Sequence, residues 1–158
     1  MKDAREVARA ALAVLEQNRR RIDDLNVYPV PDGDTGTNLT LTMRAVVDAL
    51  DESAATDGRT LAHEASRAAL MGARGNSGVI FSQILRGAAD VLAGEESLAP
   101  SAVARALRAA SDAAYRAVRR PVEGTMLTVI RELAEEAELR HGDPLPVLLD
   151  AIVARGEE

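Results

Sequence analysis

The sequence predicts an all-α fold, a bundle of about seven helices, and three observations carry that expectation. Apolar residues recur near a 3.6-residue period in almost every segment. No stretch reads convincingly as a strand. The periodic stretches are separated by proline and glycine clusters that interrupt helices. With 158 residues, the chain has the length of one domain with a real core, spanning 1–158.

The first helix is expected over Ala4 to Ile22, with Val7, Ala8, Ala11, Leu12, Val14 and Leu15 on its apolar face. Arg19, Arg20 and Arg21 then lie near its C-terminus, where the helix dipole favours cations. Pro29 and Pro31 forbid a helix through Leu25 to Pro31. Helical spacing resumes from about Asn38 to Leu50, and a polar linker, Asp51 to Gly58, precedes a third helix at about Thr60 to Met71. A glycine-rich break leads to a fourth helix from Val79 to about Leu92. Ser101 is the expected N-cap of a fifth helix running to Arg119 or Arg120. Pro121 breaks the chain again, a sixth helix runs from near Gly124 to about Leu139, and a seventh from Leu145 to Ala154. Alanine on several faces lets helix axes approach closely.

Composition narrows the function classes. The net charge is −6 and the only aromatic residues are Tyr28, Phe81 and Tyr115. That leaves neither the basic face that nucleic-acid backbones require nor a platform for stacking bases, so no nucleic-acid partner is expected. With no cysteine there is no disulfide and no thiol catalysis. No apolar run is long enough for a transmembrane segment and no signal peptide is evident, so a cytoplasmic soluble domain is expected. His63 and His141 have no partner pattern that would support triad catalysis.

Three breaks carry residues suited to chemistry. In Pro29-Val30-Pro31-Asp32-Gly33-Asp34-Thr35-Gly36-Thr37-Asn38, two carboxylates stand one glycine apart where the chain enters a helix. Carboxylate oxygens suit a hard cation such as Mg2+, and helix-start amides and hydroxyls suit a phosphate. The same residue types also build an ordinary turn into an N-cap, and the pattern alone leaves both readings open. In Gly72-Ala73-Arg74-Gly75-Asn76-Ser77-Gly78, glycines every third residue let amides approach an anion at a helix start, or simply turn one helix into the next. Arg74 reaches a phosphate in the first reading and faces solvent in the second. Pro121-Val122-Glu123-Gly124-Thr125-Met126 again puts a glycine and a hydroxyl at a helix start, with Thr125 near the cap. An EF-hand is excluded by spacing, since its sixth and twelfth positions counted from Asp32 hold Thr37 and Met43.

Together the three motifs resemble a known family. The segments 25–38, 72–80 and 121–127 are similar, in order and spacing, to the N-terminal domain of bacterial fatty acid kinase A subunits. That domain is itself similar to the nucleotide-binding L subunit of dihydroxyacetone kinase (the DhaL type). The resemblance implies an antiparallel helical barrel or bundle with ATP or ADP and two Mg2+ at one end. Carried onto this chain, it makes Asp32 and Asp34 metal ligands and catalytic residues, and makes Asn26 a further metal ligand, in a place where the dihydroxyacetone kinase branch has another aspartate. It assigns Thr35, Gly36, Thr37, Asn38, Gly75, Asn76, Ser77, Gly78, Gly124, Thr125 and Met126 to the nucleotide and Arg74 to catalysis. It also implies a further helix and a glycine-rich segment beyond Glu158, so a C-terminally truncated domain is expected. The implied activity is ATP- and Mg-dependent phosphorylation of a fatty acid carboxylate presented by a DegV-like fatty-acid-binding protein. Further domains of the same full-length subunit, and a homodimer, are the other implied partners. The alternatives are a dihydroxyacetone kinase-type subunit and a nucleotide-binding module without catalysis.

Overall fold

The structure, a computed structural model, describes residues 4–158. Among them are seven helices and no strand: α1 (Ala4–Leu25), α2 (Thr35–Glu52), α3 (Gly58–Gly72), α4 (Gly75–Leu92), α5 (Pro100–Ala117), α6 (Met126–Leu139) and α7 (Leu145–Glu157). The expected fold class is therefore the observed one. Each helix packs on its predecessor, and α2 also packs on α4, so short connections make the helices run alternately up and down.

Several boundaries differ from the spacing-based expectation. The helices α2 and α4 begin at Thr35 and Gly75, one turn before Asn38 and Val79. Close packing of glycines, described below, favours the helix where propensity does not. The fifth helix begins at Pro100 with Ala99 as N-cap, not Ser101, because a proline suits the first helical position. It ends at Ala117, where Val118 turns extended. The first helix runs past its arginines to Leu25, so its last turn holds no base and instead carries Asp23 and Asp24. Carboxylates there oppose the dipole.

The core is three linked clusters. Leu12 of α1 meets Met43, Val46, Val47 and Leu50 of α2, Leu61 and Ala69 of α3, and the partly buried Phe81 of α4. Ala110 and Ala114 of α5 meet Leu127 and Ile130 of α6, with Ile80 and Ile84 of α4 against them. Ala104 and Ala137 meet Leu148 and Ile152 of α7. Leu148 is fully buried, and burial of such a side chain contributes about 1.5–3 kcal/mol. The expected close approach of axes is seen where Gly87 of α4 lies on α5, since a Cβ there would overlap the Ala109 carbonyl.

At the opposite end of α2, the guanidinium of Arg5 reaches from α1 to the carbonyls of Leu50, Ser53 and Ala55, at 2.8, 3.0 and 2.9 Å. Carbonyls that a helix end leaves without intrahelical partners are thereby satisfied. No described helix is long and apolar enough to cross a membrane.

Candidate functional site at one end of the bundle

The alternation of helix directions places the end of α1, the starts of α2, α4 and α6, and the ends of α3 and α5 at one end of the bundle. All three motif loops therefore share that end. Contacts tie the first two loops together. The Asn38 side chain fills the space a Cβ on Gly75 would need, and the Arg74 amide donates to Thr42 Oγ1 at 3.3 Å. A Cβ on Gly78 would stand 2.7 Å from the same hydroxyl. The third start is linked to them through the cluster of Ala110, Ala114, Leu127 and Ile130, against which Ile80 and Ile84 of α4 pack.

In the first loop, Gly33 takes a left-handed conformation, φ 64°, which reverses the chain between the two aspartates. Asn26 Nδ2 donates to Asp32 Oδ1 at 3.1 Å, which leaves the Asn26 carbonyl oxygen uncommitted. Asp34 is the N-cap residue of α2, yet its side chain makes no cap hydrogen bond. Thr35 and Gly36 are the first two helical residues, and their amides have no intrahelical acceptor. The third, Thr37, is engaged: its amide donates to Asp23 Oδ1 at 2.9 Å and its hydroxyl to Asp23 Oδ2 at 2.8 Å. Thus Asp23, which sequence spacing did not single out, takes up both donors of a residue expected to meet phosphate. A Cβ on Gly36 would overlap the Arg19 carbonyl and crowd Ile22, so α1 and α2 touch backbone to backbone here. Asn38 is buried, 8% exposed, beside Gly75.

In the second loop, Arg74 is the N-cap of α4 and is exposed, with its guanidinium folded onto the Ala73 carbonyl at 3.2 Å. Asn76 is exposed, Ser77 half-buried and Gly78 buried, all in the first turn of α4.

Hydrogen bonds fix the third loop. Thr125 is the N-cap of α6; its hydroxyl accepts from the Leu127 amide at 3.2 Å and donates to the Val122 carbonyl at 2.8 Å. Met126, half-buried, opens the helix. The Gly124 amide donates to Thr128 Oγ1 at 2.8 Å, and that hydroxyl donates to Glu123 Oε2 at 2.7 Å. Tyr115 Oη donates to Glu123 Oε1 at 2.9 Å, and Arg131 Nη2 lies 3.1 Å from Oε2. The Thr128 and Tyr115 hydrogen bonds, with the Arg131 charge, lower the Glu123 pKa. Burial, then the bond to Glu123, raises that of Tyr115. Glu123 was not among the sequence-derived candidates.

The donor set suits a hard cation. No three His, Cys, Asp or Glu side chains cluster among the described residues, but Mg2+ needs only one or two carboxylates and keeps several waters. Asp34, Asp32 and the Asn26 carbonyl oxygen supply oxygens of that kind. By contrast, a groove of about 590 Å3 lies toward the other end, lined by Val91, Ser101, Arg105, Arg108 and Glu138 among others. Its arginines are committed: Arg105 to Glu95 at 2.5 Å, and Arg108 to Glu138 at 2.7 and 2.5 Å. That groove is therefore separate from the three motif loops and offers no uncommitted arginine from this pair.

The class is thus an up-and-down helical bundle with three helix starts and uncommitted carboxylate oxygens at one end, an arrangement whose helix starts suit an anion. Residues 29–158 match the DAK2 domain, and the chain belongs to that family. It is thus a domain of the dihydroxyacetone kinase L-subunit type, a kinase-related type whose members bind ADP or ATP. It is 47% identical over 116 residues to an uncharacterised protein of Staphylococcus saprophyticus, covering 73% of this chain and 21% of that protein. It is 44% identical over 123 residues to one of Staphylococcus epidermidis, covering 78% and 22%. With one of Staphylococcus aureus strain USA300 it shares 39% identity over 146 residues, covering 91% and 27%. The chain spans about a fifth to a quarter of the length of these relatives.

Proposed function

We propose that this domain is the nucleotide-binding part of a fatty acid kinase, which transfers the terminal phosphoryl group of ATP to a fatty acid carboxylate and yields acyl phosphate and ADP. The observation that carries the proposal is the meeting, at one end, of three helix starts with an N-cap carboxylate, Asp34, that does not cap its own helix. Asp32 and Asp34, with Asn26, hold Mg2+ in this reading, and the amides of Thr35 and Gly36 face the phosphates. When bound, Mg2+ offsets the charge of the transferring phosphoryl group. Asn38, Gly75, Asn76, Ser77 and Gly78 form the adjoining wall, and Gly124, Thr125 and Met126 border the nucleotide. Arg74 unfolds from the Ala73 carbonyl to meet phosphate.

No general base is required of this chain. A carboxylic acid with a pKa of about 4–5 is already ionised at neutral pH, so the acceptor needs no proton removed. The work left to the protein is positioning and charge neutralisation. The acceptor is presented by a DegV-like fatty-acid-binding protein, and further domains of the longer subunit join the assembly. The family match favours one second reading, in which dihydroxyacetone on another subunit accepts the phosphoryl group.

Incubation of the full-length subunit with γ-labelled ATP, Mg2+ and either a fatty-acid-loaded DegV-like protein or dihydroxyacetone tests the choice. Label in a hydroxylamine-sensitive acyl phosphate is the expected result. Label in dihydroxyacetone phosphate transfers the assignment to the second reading, and nucleotide binding with label in neither acceptor leaves a non-catalytic module.

A further inference from the structure

An aspartate at a helix N-cap ordinarily accepts the amide of the second or third helical residue with its own side chain. Asp57 does so at the start of α3: its backbone is extended, φ −94° and ψ 144°, and Oδ1 takes the Thr60 amide at 2.8 Å. Asp34 stands at the equivalent place in α2 with φ −126° and ψ 4°, and makes no such bond. The Thr37 amide, the equivalent donor, is held by Asp23 of α1, which also takes the Thr37 hydroxyl. Asp23 sits beside the closest approach of the two helices, because Gly36 lets α2 lie directly on the Arg19 carbonyl and Ile22. At the end of α1, a carboxylate is misplaced with respect to its own helix dipole and well placed for that of α2.

We infer that Asp23 is a positioning residue: it caps α2 from the neighbouring helix, and so keeps the Asp34 carboxylate turned away from its own helix and available to a cation. The inference rests on the reading of Asp34 as a metal ligand, and it concerns a residue that neither motif nor loop contains.

Two measurements on the domain separate the inference from that reading. The first uses thermal unfolding of Asp23→Ala, Asp34→Ala and the double variant, and involves no ligand. Asp34→Ala alone leaves the midpoint within about 1 °C, because its side chain caps nothing. Asp23→Ala alone costs little, because Asp34 turns back onto the vacated Thr37 amide. The double variant loses the cap altogether and falls about 2–4 °C below the sum of the two. Additive shifts overturn the inference. The second is Mn2+ binding followed by electron paramagnetic resonance. Asp23→Ala weakens it about 10- to 100-fold, the usual effect of losing a partner that orients a ligand. Asp23→Asn retains an acceptor for the Thr37 amide and stays within about threefold of the parent on the same scale. Unchanged Mn2+ affinity in Asp23→Ala overturns the inference, whereas a parent protein that binds no Mn2+ overturns the metal reading, and the unfolding cycle alone then decides the role of Asp23.

Discussion

The starts of α2 and α3 are built from the same residue types and do different work. At α3, Asp57 caps the helix itself, and a Cβ added to Gly58 would meet nothing within 4 Å. At α2, Asp34 leaves its helix uncapped by its own side chain, and Gly36 is wedged against the backbone of α1. An N-cap carboxylate is thus engaged by its own helix or left free of it according to whether another residue satisfies the helix start. Glycine follows the same division, as a spacer in contact at α2 and an unconstrained residue at α3.

The largest effect expected from this contrast is on the nucleotide. Asp34→Ala lowers Mg-dependent ATP affinity by at least about 100-fold, beyond the usual loss for an outer partner of a metal site, whereas Asp57→Ala leaves it unchanged. Calorimetric titration of the two variants checks this, and equal losses break the comparison. Next in size is the glycine pair. Gly36→Ala forces α1 away from α2 and costs about 1–3 kcal/mol in denaturant unfolding. Gly58→Ala, with open space around it, stabilises by about 0.4–1 kcal/mol through the unfolded chain.

Smaller still is the cap itself. Asp57→Ala lowers the thermal midpoint by about 2–4 °C at neutral pH. Its hydrogen bonds from the Thr60 amide and hydroxyl hold the folded pKa of Asp57 below the ordinary 3.8. The cap therefore stabilises fully above pH 3.8 and is lost as the pH falls through the lower folded value, so the difference between parent and variant vanishes in strong acid. The smallest effect is expected at the third loop. Glu123→Ala releases Thr128 and Tyr115, and with them the Gly124 amide, and weakens ATP by about threefold to tenfold at unchanged helix content. Hydrogen exchange faster at Gly124 and unaltered within α5 locates that effect.

The architecture was legible because apolar spacing and proline or glycine breaks are local signals. Helix starts were less so. Thr35-Gly36-Thr37 and Gly75-Asn76-Ser77-Gly78 have weak helix propensity, and the first turns form there through packing of their glycines against Arg19, Asn38 and Thr42 and, in α2, through the hydrogen bonds of Thr37 to Asp23. The error at Ser101 had a visible remedy, since Pro100 is well suited to a first helical position. The three motif loops were legible as loops, and their gathering at one end followed once the helices alternated. Asp23 was not legible, because it sits in an amphipathic helix where a carboxylate reads as a solvated charge and its partner lies fourteen residues on. Glu123 was hidden in the same way, since Tyr115, Thr128 and Arg131 become its partners only when α5 and α6 pack.

The most direct test of the central claim is calorimetric titration of the domain with ATP in the presence and absence of Mg2+. The account predicts binding that depends on Mg2+ in the parent and disappears in Asp34→Ala while the helical circular dichroism signal is retained. Mg-independent binding, or binding that survives Asp34→Ala unchanged, would contradict it.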